Sequence, residues 1–156
     1  MSHAFDSTKM EQFKVFKFSE DKCYYGETAW VDSTGKIIED LSSFPGEEKK
    51  YQIRHGNGIE VYGKTSSGDI SRYEGQWDHN KKSGKGKCIF LDGSYYIGEY
   101  HNNCINGKGT FTWSNGATYN GEWIKGRMSG QGEYKNNKIV HKGTFINGYY
   151  LDVSFI

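Results

Sequence analysis

Several groups of residues have types and spacings that could do chemistry. Gly58-Ile-Glu-Val-Tyr-Gly63-Lys64-Thr65 satisfies the phosphate-loop pattern Gly-x4-Gly-Lys-Thr. In such a loop, backbone N–H groups at a helix N-terminus cradle phosphates and the lysine meets their charge. The chemistry needs a helix after the lysine. Here Ser-Ser-Gly-Asp-Ile-Ser follows, so the segment reads as a strand running into a loop, and no nucleotide is expected. His79 and His101 stand near Cys88 and Cys104, which offers imidazole and thiolate ligands, but the spacings match no zinc signature and no metal or cofactor is expected. A hydrolytic triad finds no serine in a strained strand-to-helix elbow. The chain therefore reads as a non-enzyme.

Two other groups suit binding. Lys81, Lys82, Lys85 and Lys87 form the densest basic patch. It could meet an anionic membrane surface at about 1 kcal/mol per lysine, a weak tether without a second anchoring signal. The plainer reading is a solvated face, with Lys85 and Lys87 opposite Glu74 and Asp78 across a hairpin, in pairs of about 0.2–1 kcal/mol each. The aromatic residues are more telling. Trp77, Phe90, Tyr100, Phe111, Trp113, Trp123 and Tyr134 recur in step with Tyr73, Tyr96 and Tyr119. Tyr and Trp dominate binding hot spots.

A repeat positions these residues. YEGQWDHNKKSGKGKCIFLDGSY (73–95), YIGEYHNNCINGKGTFTWSNGAT (96–118) and YNGEWIKGRMSGQGEYKNNKIV (119–140) align in phase, and HKGTF at His141 begins a half copy that puts Phe145 in the Trp77 position. Tyr24, Gly26 and Glu27 open an earlier copy whose second half is HGNGIEVY at 55–62, with an insertion containing Pro45 between the halves. The chain thus divides into a tail (1–12), a degenerate half copy and an ornamented copy (13–72), three regular copies plus a half (73–150) and a capping strand (151–156).

Composition makes the copies β-hairpins. Leu and Ala occur three times each against 21 Gly, 12 Tyr and 9 Phe, so the residues that favour helices are scarce and those that suit a pleated surface are plentiful. Tyr73, Gly75 and Trp77 alternate onto one strand face, with Glu74, Gln76 and Asp78 on the other. Asn80, Asn103, Gly126 and Gly148 share one position, a turn needing positive φ. The return strand puts Gly84, Gly86, Cys88 and Phe90 on the ring face, and Asp92-Gly93 and Asn115-Gly116 turn into the next copy. Rings from one copy are expected over the glycines of its neighbour. The result is an all-β, elongated, single-layer antiparallel sheet with one aromatic face and one polar face.

The pattern Tyr-x-Gly-Glu-Trp, a turn with Asn or Gly, then Gly-x-Gly-x-aromatic and an Asp-Gly or Asn-Gly link resembles the MORN repeat, closely over 73–150 and loosely over 13–72. Asn136 in place of an aromatic and His141 in place of Tyr depart from it. The resemblance implies a scaffold or adaptor in a cytoskeletal, ciliary or membrane-cortex assembly. Its groove would be lined by Trp77, Phe90, Tyr100, Phe111, Trp113, Trp123 and Tyr134 and would hold a helix or extended segment of a protein partner.

Charge and cysteine usage narrow the setting. Residues 1–72 carry 10 Lys/Arg against 12 Asp/Glu, and 73–156 carry 10 against 7, far from the dense basic footprint of a nucleic-acid binder. Three cysteines without framework spacing and no Asn-x-Ser/Thr sequon point to a reducing, cytoplasmic compartment. The amino terminus has no leader-like apolar core, and no run reaches membrane-spanning length. The apolar end Tyr149–Ile156 is expected to cap the array or to join two arrays end to end as a homodimer.

Overall fold

The computed structural model describes residues 13–19, 22–42, 48–62 and 70–151. They form eleven strands: β1 (Phe13–Ser19), β2 (Lys22–Val31), β3 (Tyr51–Tyr62), β4 (Ile70–Asp78), β5 (Lys81–Phe90), β6 (Tyr95–His101), β7 (Cys104–Thr112), β8 (Thr118–Ile124), β9 (Arg127–Lys135), β10 (Val140–Ile146) and β11 (Tyr149–Tyr150). All eleven lie in one sheet in chain order, each antiparallel to its neighbours. No helix occurs among the described residues. The expected single-layer stack of hairpins is the fold.

Two-residue turns close the hairpins. Both central residues have positive φ in His79-Asn80, Asn102-Asn103, Lys125-Gly126 and Asn147-Gly148, as in the type I′ turns that match the right-handed twist of paired strands. Each turn also grips the copy before it, since Asn103 N donates to Lys82 O at 3.0 Å and Gly126 N to Ile105 O at 2.8 Å. Asp92-Gly93 instead sits in a longer loop, where Asp92 Oδ1 accepts from Ser94 N at 2.9 Å.

A row of glycines crosses the sheet. Gly26, Gly58, Gly75, Gly86, Gly98, Gly109, Gly121, Gly132 and Gly143 are successive register partners on β2 to β10. Tyr24, Tyr73, Tyr96 and Tyr119 lie flat over it with no exposed surface, and their hydroxyls donate to the carbonyl three residues on, at 2.8 to 3.2 Å. These tyrosines cover the glycines of their own hairpin, not those of the neighbouring copy as the sequence suggested. A ring two residues from a glycine on its own strand needs no long reach to cover it. The tryptophans make the crossing instead: Trp123 Nε1 donates to Gly109 O of the preceding copy at 3.0 Å.

The rings interlock edge to face. Tyr24–Trp77, Trp77–Tyr73, Tyr73–Tyr100, Tyr100–Tyr96, Tyr96–Trp123, Trp123–Tyr119 and Tyr119–Phe145 follow one another with centroids 4.9 to 5.5 Å apart. This T-shaped geometry suits the ring quadrupoles and adds about 0.5–1.5 kcal/mol per pair beyond area burial. The ladder is the core of a protein in which no described element forms a second layer.

The hairpins β2–β3, β4–β5, β6–β7 and β8–β9 each carry a bulge. Gly107 has φ of 108°, and a side chain there would collide with Glu99, whose Oε2 accepts from Lys108 N at 3.0 Å. Gly84 repeats this against Gln76, which accepts from Lys85 N at 2.7 Å. Gly84 and Gly107 therefore do not serve as hollows on the ring face. They are bulge positions held by the Glu or Gln after Tyr-x-Gly.

The insertion begins and ends as strand, because β2 and β3 pair out to Val31 and Tyr51. Gly58 to Tyr62 end β3, while Gly63, Lys64 and Thr65 lie outside the described residues, as do 1–12, Pro45 and most of the 151–156 capping segment.

Candidate partner-binding face

The aromatic face of the sheet divides into a closed half and an open half, and two repeat positions control the division. Arg54, Lys82, Ile105 and Met128 each accept, through their carbonyls, the N–H of the next copy's turn, so they occupy equivalent places. Two residues past the row glycine, Glu60, Cys88, Phe111 and Tyr134 are likewise equivalent. Charges thus stand at these places in the ornamented copy (Arg54, Glu60) and in the first regular copy (Lys82), where the later copies have Ile105, Met128, Phe111 and Tyr134.

In the closed half, Glu60 is 1% exposed. Its carboxylate ion-pairs with Arg54, receives the Tyr62 hydroxyl and lies 3.3 Å from Lys22 Nζ. Lys82 turns inward to join this group, 7% exposed, with Nζ 4.9 Å from the Tyr73 ring centroid and 5.2 Å from that of Tyr62. Burial lowers the ammonium's pKa, and the Glu60 charge acts in the opposite direction.

The lysine patch read from sequence is therefore broken up. Lys81, Lys85 and Lys87 are exposed, whereas Lys82 is in the core. Nor does Lys85 face Asp78: the register sets Lys81 opposite Asp78, Lys87 opposite Glu74, and Lys85 opposite Glu99 of β6. The bulge at Gly84 shifts the pairing. Lys82 could have been assigned from its period, since it stands nine residues after Tyr73 as Ile105 does after Tyr96 and Met128 after Tyr119.

In the open half, a second aromatic row runs beside the ladder. Phe90–Phe111, Phe111–Trp113 and Trp113–Tyr134 have centroids 5.4, 4.8 and 5.7 Å apart, and all four residues are half-buried. With Ile105, Met128 and the edge of Trp123, the first three of them (Phe90, Phe111 and Trp113) border a hollow of about 380 Å³ on the aromatic face. Of the groove residues read from sequence, Phe90, Phe111, Trp113 and Tyr134 are where a partner could touch them. Trp77, Tyr100 and Trp123 are 3–5% exposed and belong to the core, because the position two residues past the row glycine on the outgoing strand packs between successive tyrosines. Ile105 and Met128 are additions that aromatic content alone did not reveal.

The opposite face also has a hollow, about 720 Å³, over the bare side of the glycine row. Lys85, Lys87, Lys108, Glu74 and Glu99 border it, so its rim alternates in charge and favours neither sign.

The MORN repeat family model matches residues 73–95, 96–118 and 119–138. Residues 73–138 are three MORN repeats. The geometry carries the pattern beyond the match, since Tyr24 lies over Gly26 and Gly58 as Tyr96 lies over Gly98 and Gly109. No curated protein matches the chain. No helix among the described residues is long and apolar enough to cross a membrane.

Proposed function

We propose that the chain is a non-catalytic adaptor that holds a helix or extended segment of another protein on the aromatic face of its regular MORN repeats. The observation that carries this reading is the half-buried row Phe90, Phe111, Trp113 and Tyr134 beside an open hollow, on a face no described element covers. Large exposed aromatic area on a folded protein marks an interaction site, and rigid rings bind at low entropic cost. The hollow has room for one or two anchoring side chains, with Arg127 at its border to orient a polar or acidic flank. A place in a cytoskeletal, ciliary or membrane-cortex assembly is the setting in which such an adaptor would serve.

An anionic lipid surface is the weaker reading. Lys82 is withdrawn from the patch, and Lys85 and Lys87 face Glu99 and Glu74. A photo-crosslinking residue at Phe90, on the aromatic face, and another at Ile97, on the opposite face, test the proposal in cells. Crosslinks to one protein from position 90 and none from 97 support it. The reverse pattern, or crosslinks only to lipid, refutes it.

A further inference from the structure

We propose that His55, Asp78 and His79 form a binding site for a divalent late transition-metal ion of the zinc class. The turn after β4 supplies Asp78 and His79, and β3 brings His55 beside them although it is distant in sequence. Nδ1 of His55 lies 3.4 Å from Asp78 Oδ1, and Nδ1 of His79 lies 2.6 Å from the same oxygen. The ligand atoms all fall within 4.8 Å of one another, so small side-chain rotations bring them to the distance of about 2.0–2.2 Å that donors keep from a shared ion.

Proton placement separates this group from an ordinary polar cluster. His79 Nε2 is 3.0 Å from the carbonyl oxygen of Gly35. A carbonyl only accepts, so Nε2 carries the hydrogen. In the neutral ring Nδ1 is then a lone pair, and it faces the carboxylate of Asp78. Two lone pairs at that distance repel unless they share a proton or a metal ion. His55 Nδ1 is buried and has no hydrogen-bond partner among the described residues, and its ring stands edge-on to His79 with centroids 5.7 Å apart. Three donors thus converge on one point.

The surroundings agree with a metal site. Histidines that ligate metals characteristically donate their other ring N–H to a carbonyl or carboxylate, as His79 does to Gly35. Two imidazoles and one carboxylate suit zinc and its neighbours, whereas magnesium and calcium take oxygen ligands. The side chains of His55, Asp78 and His79 are 35%, 58% and 45% exposed, leaving water room to complete the coordination. Bound there, the ion would pin the β4–β5 turn to β3 and to the Asp32–Lys36 turn that carries Gly35. It would stiffen the junction between the ornamented copy and the regular array.

The rival arrangement is an imidazolium at His79 paired with Asp78. The test titrates the chelator-treated full chain with Zn²⁺ by calorimetry, and with Co²⁺ by its visible absorption. The expected result is saturable uptake of one ion per chain, a raised melting temperature, and affinity weakened by about tenfold or more in His55→Ala, His79→Ala and Asp78→Asn. His101→Ala, which removes the exposed histidine of the next copy's turn, should leave affinity unchanged. Circular dichroism reports whether each variant is folded, and Asp78→Asn keeps the shape of the turn if a histidine variant does not fold. Absence of saturable uptake, or uptake that survives in both histidine variants, would overturn the proposal.

Discussion

The Tyr96 hydroxyl occupies the space above Gly109 so closely that a Cβ on that glycine would fall under 3.0 Å from it. Tyr96 has no exposed surface and is wedged between Tyr100 and Trp123, so the ring cannot swing aside. The glycine row and the tyrosine ladder therefore require each other. Gly109→Ala should cost about 3 kcal/mol or somewhat more, the upper end of overpacking. Gly116→Ala, at φ of 82° with nothing within 4 Å, should cost only the left-handed strain of about 1–2 kcal/mol. Urea denaturation of both variants measures the order. A smaller loss at Gly109 would contradict it.

Glu60 supplies a second contrast. Its carboxylate faces Arg54, Lys22 and Tyr62 in the core, and removing one member of a buried charged group costs about 3–5 kcal/mol. Glu74, whose pair with Arg72 is solvent-exposed, should contribute under about 1 kcal/mol. Chemical denaturation of Glu60→Ala and Glu74→Ala should show that gap, and similar losses in the two would sink the closed-half description.

The buried tyrosines set an alkaline limit. Burial pushes Tyr24 and Tyr96 up to about 12 and moves Tyr73 and Tyr119 in the same direction. Unfolded tyrosines ionise near about 10. Above that pH the unfolded chain sheds protons that the folded chain keeps, so the stabilisation is complete below about pH 10 and is lost as pH rises toward 12. Lys82, lowered by burial, acts with the opposite sign, since its penalty is relieved as pH rises, but it is one group against six tyrosines, because burial raises Tyr62 and Tyr100 as well. Phenolate absorbance of the buried rings should rise together with loss of the β circular dichroism signal. Full ionisation of these rings with the sheet intact would contradict the assignment.

Much of the fold was legible because period and residue type agreed. Tyr73, Gly75 and Trp77 return as Tyr96, Gly98 and Tyr100, and the turn position of Asn80 returns as Asn103, Gly126 and Gly148. What sequence did not show was register across bulges. Alternation puts Gly84 on the ring face, but its φ of 68° turns it toward Gln76, and the pairing beyond this bulge sets Asp78 opposite Lys81. Aromatic residues were sortable in part. Trp113 shares its repeat position with Phe90 and Asn136, and a place that takes Asn lies at the rim. Trp123 shares its position with Trp77, Tyr100 and Phe145 and is enclosed with them, although Trp77, Tyr100 and Trp123 also read as groove residues. His55 meets His79 because β3 and β4 pair, a closeness no local spacing encodes.

The difference between those two tryptophans bears most directly on the adaptor reading. Trp123 is 5% exposed and packs against Tyr96 and Tyr119, so Trp123→Ala should cost about 3–5 kcal/mol of stability. Trp113 is half-buried between Phe111 and Tyr134, and Trp113→Ala should cost far less stability but about 2 kcal/mol or more of partner affinity. The measurement is the dissociation constant of the crosslinked partner for parent and Trp113→Ala, each with its melting temperature. Binding weakened at least about thirtyfold with a nearly unchanged melting temperature is the predicted result; unchanged binding by a folded Trp113→Ala would show that the aromatic face is core alone.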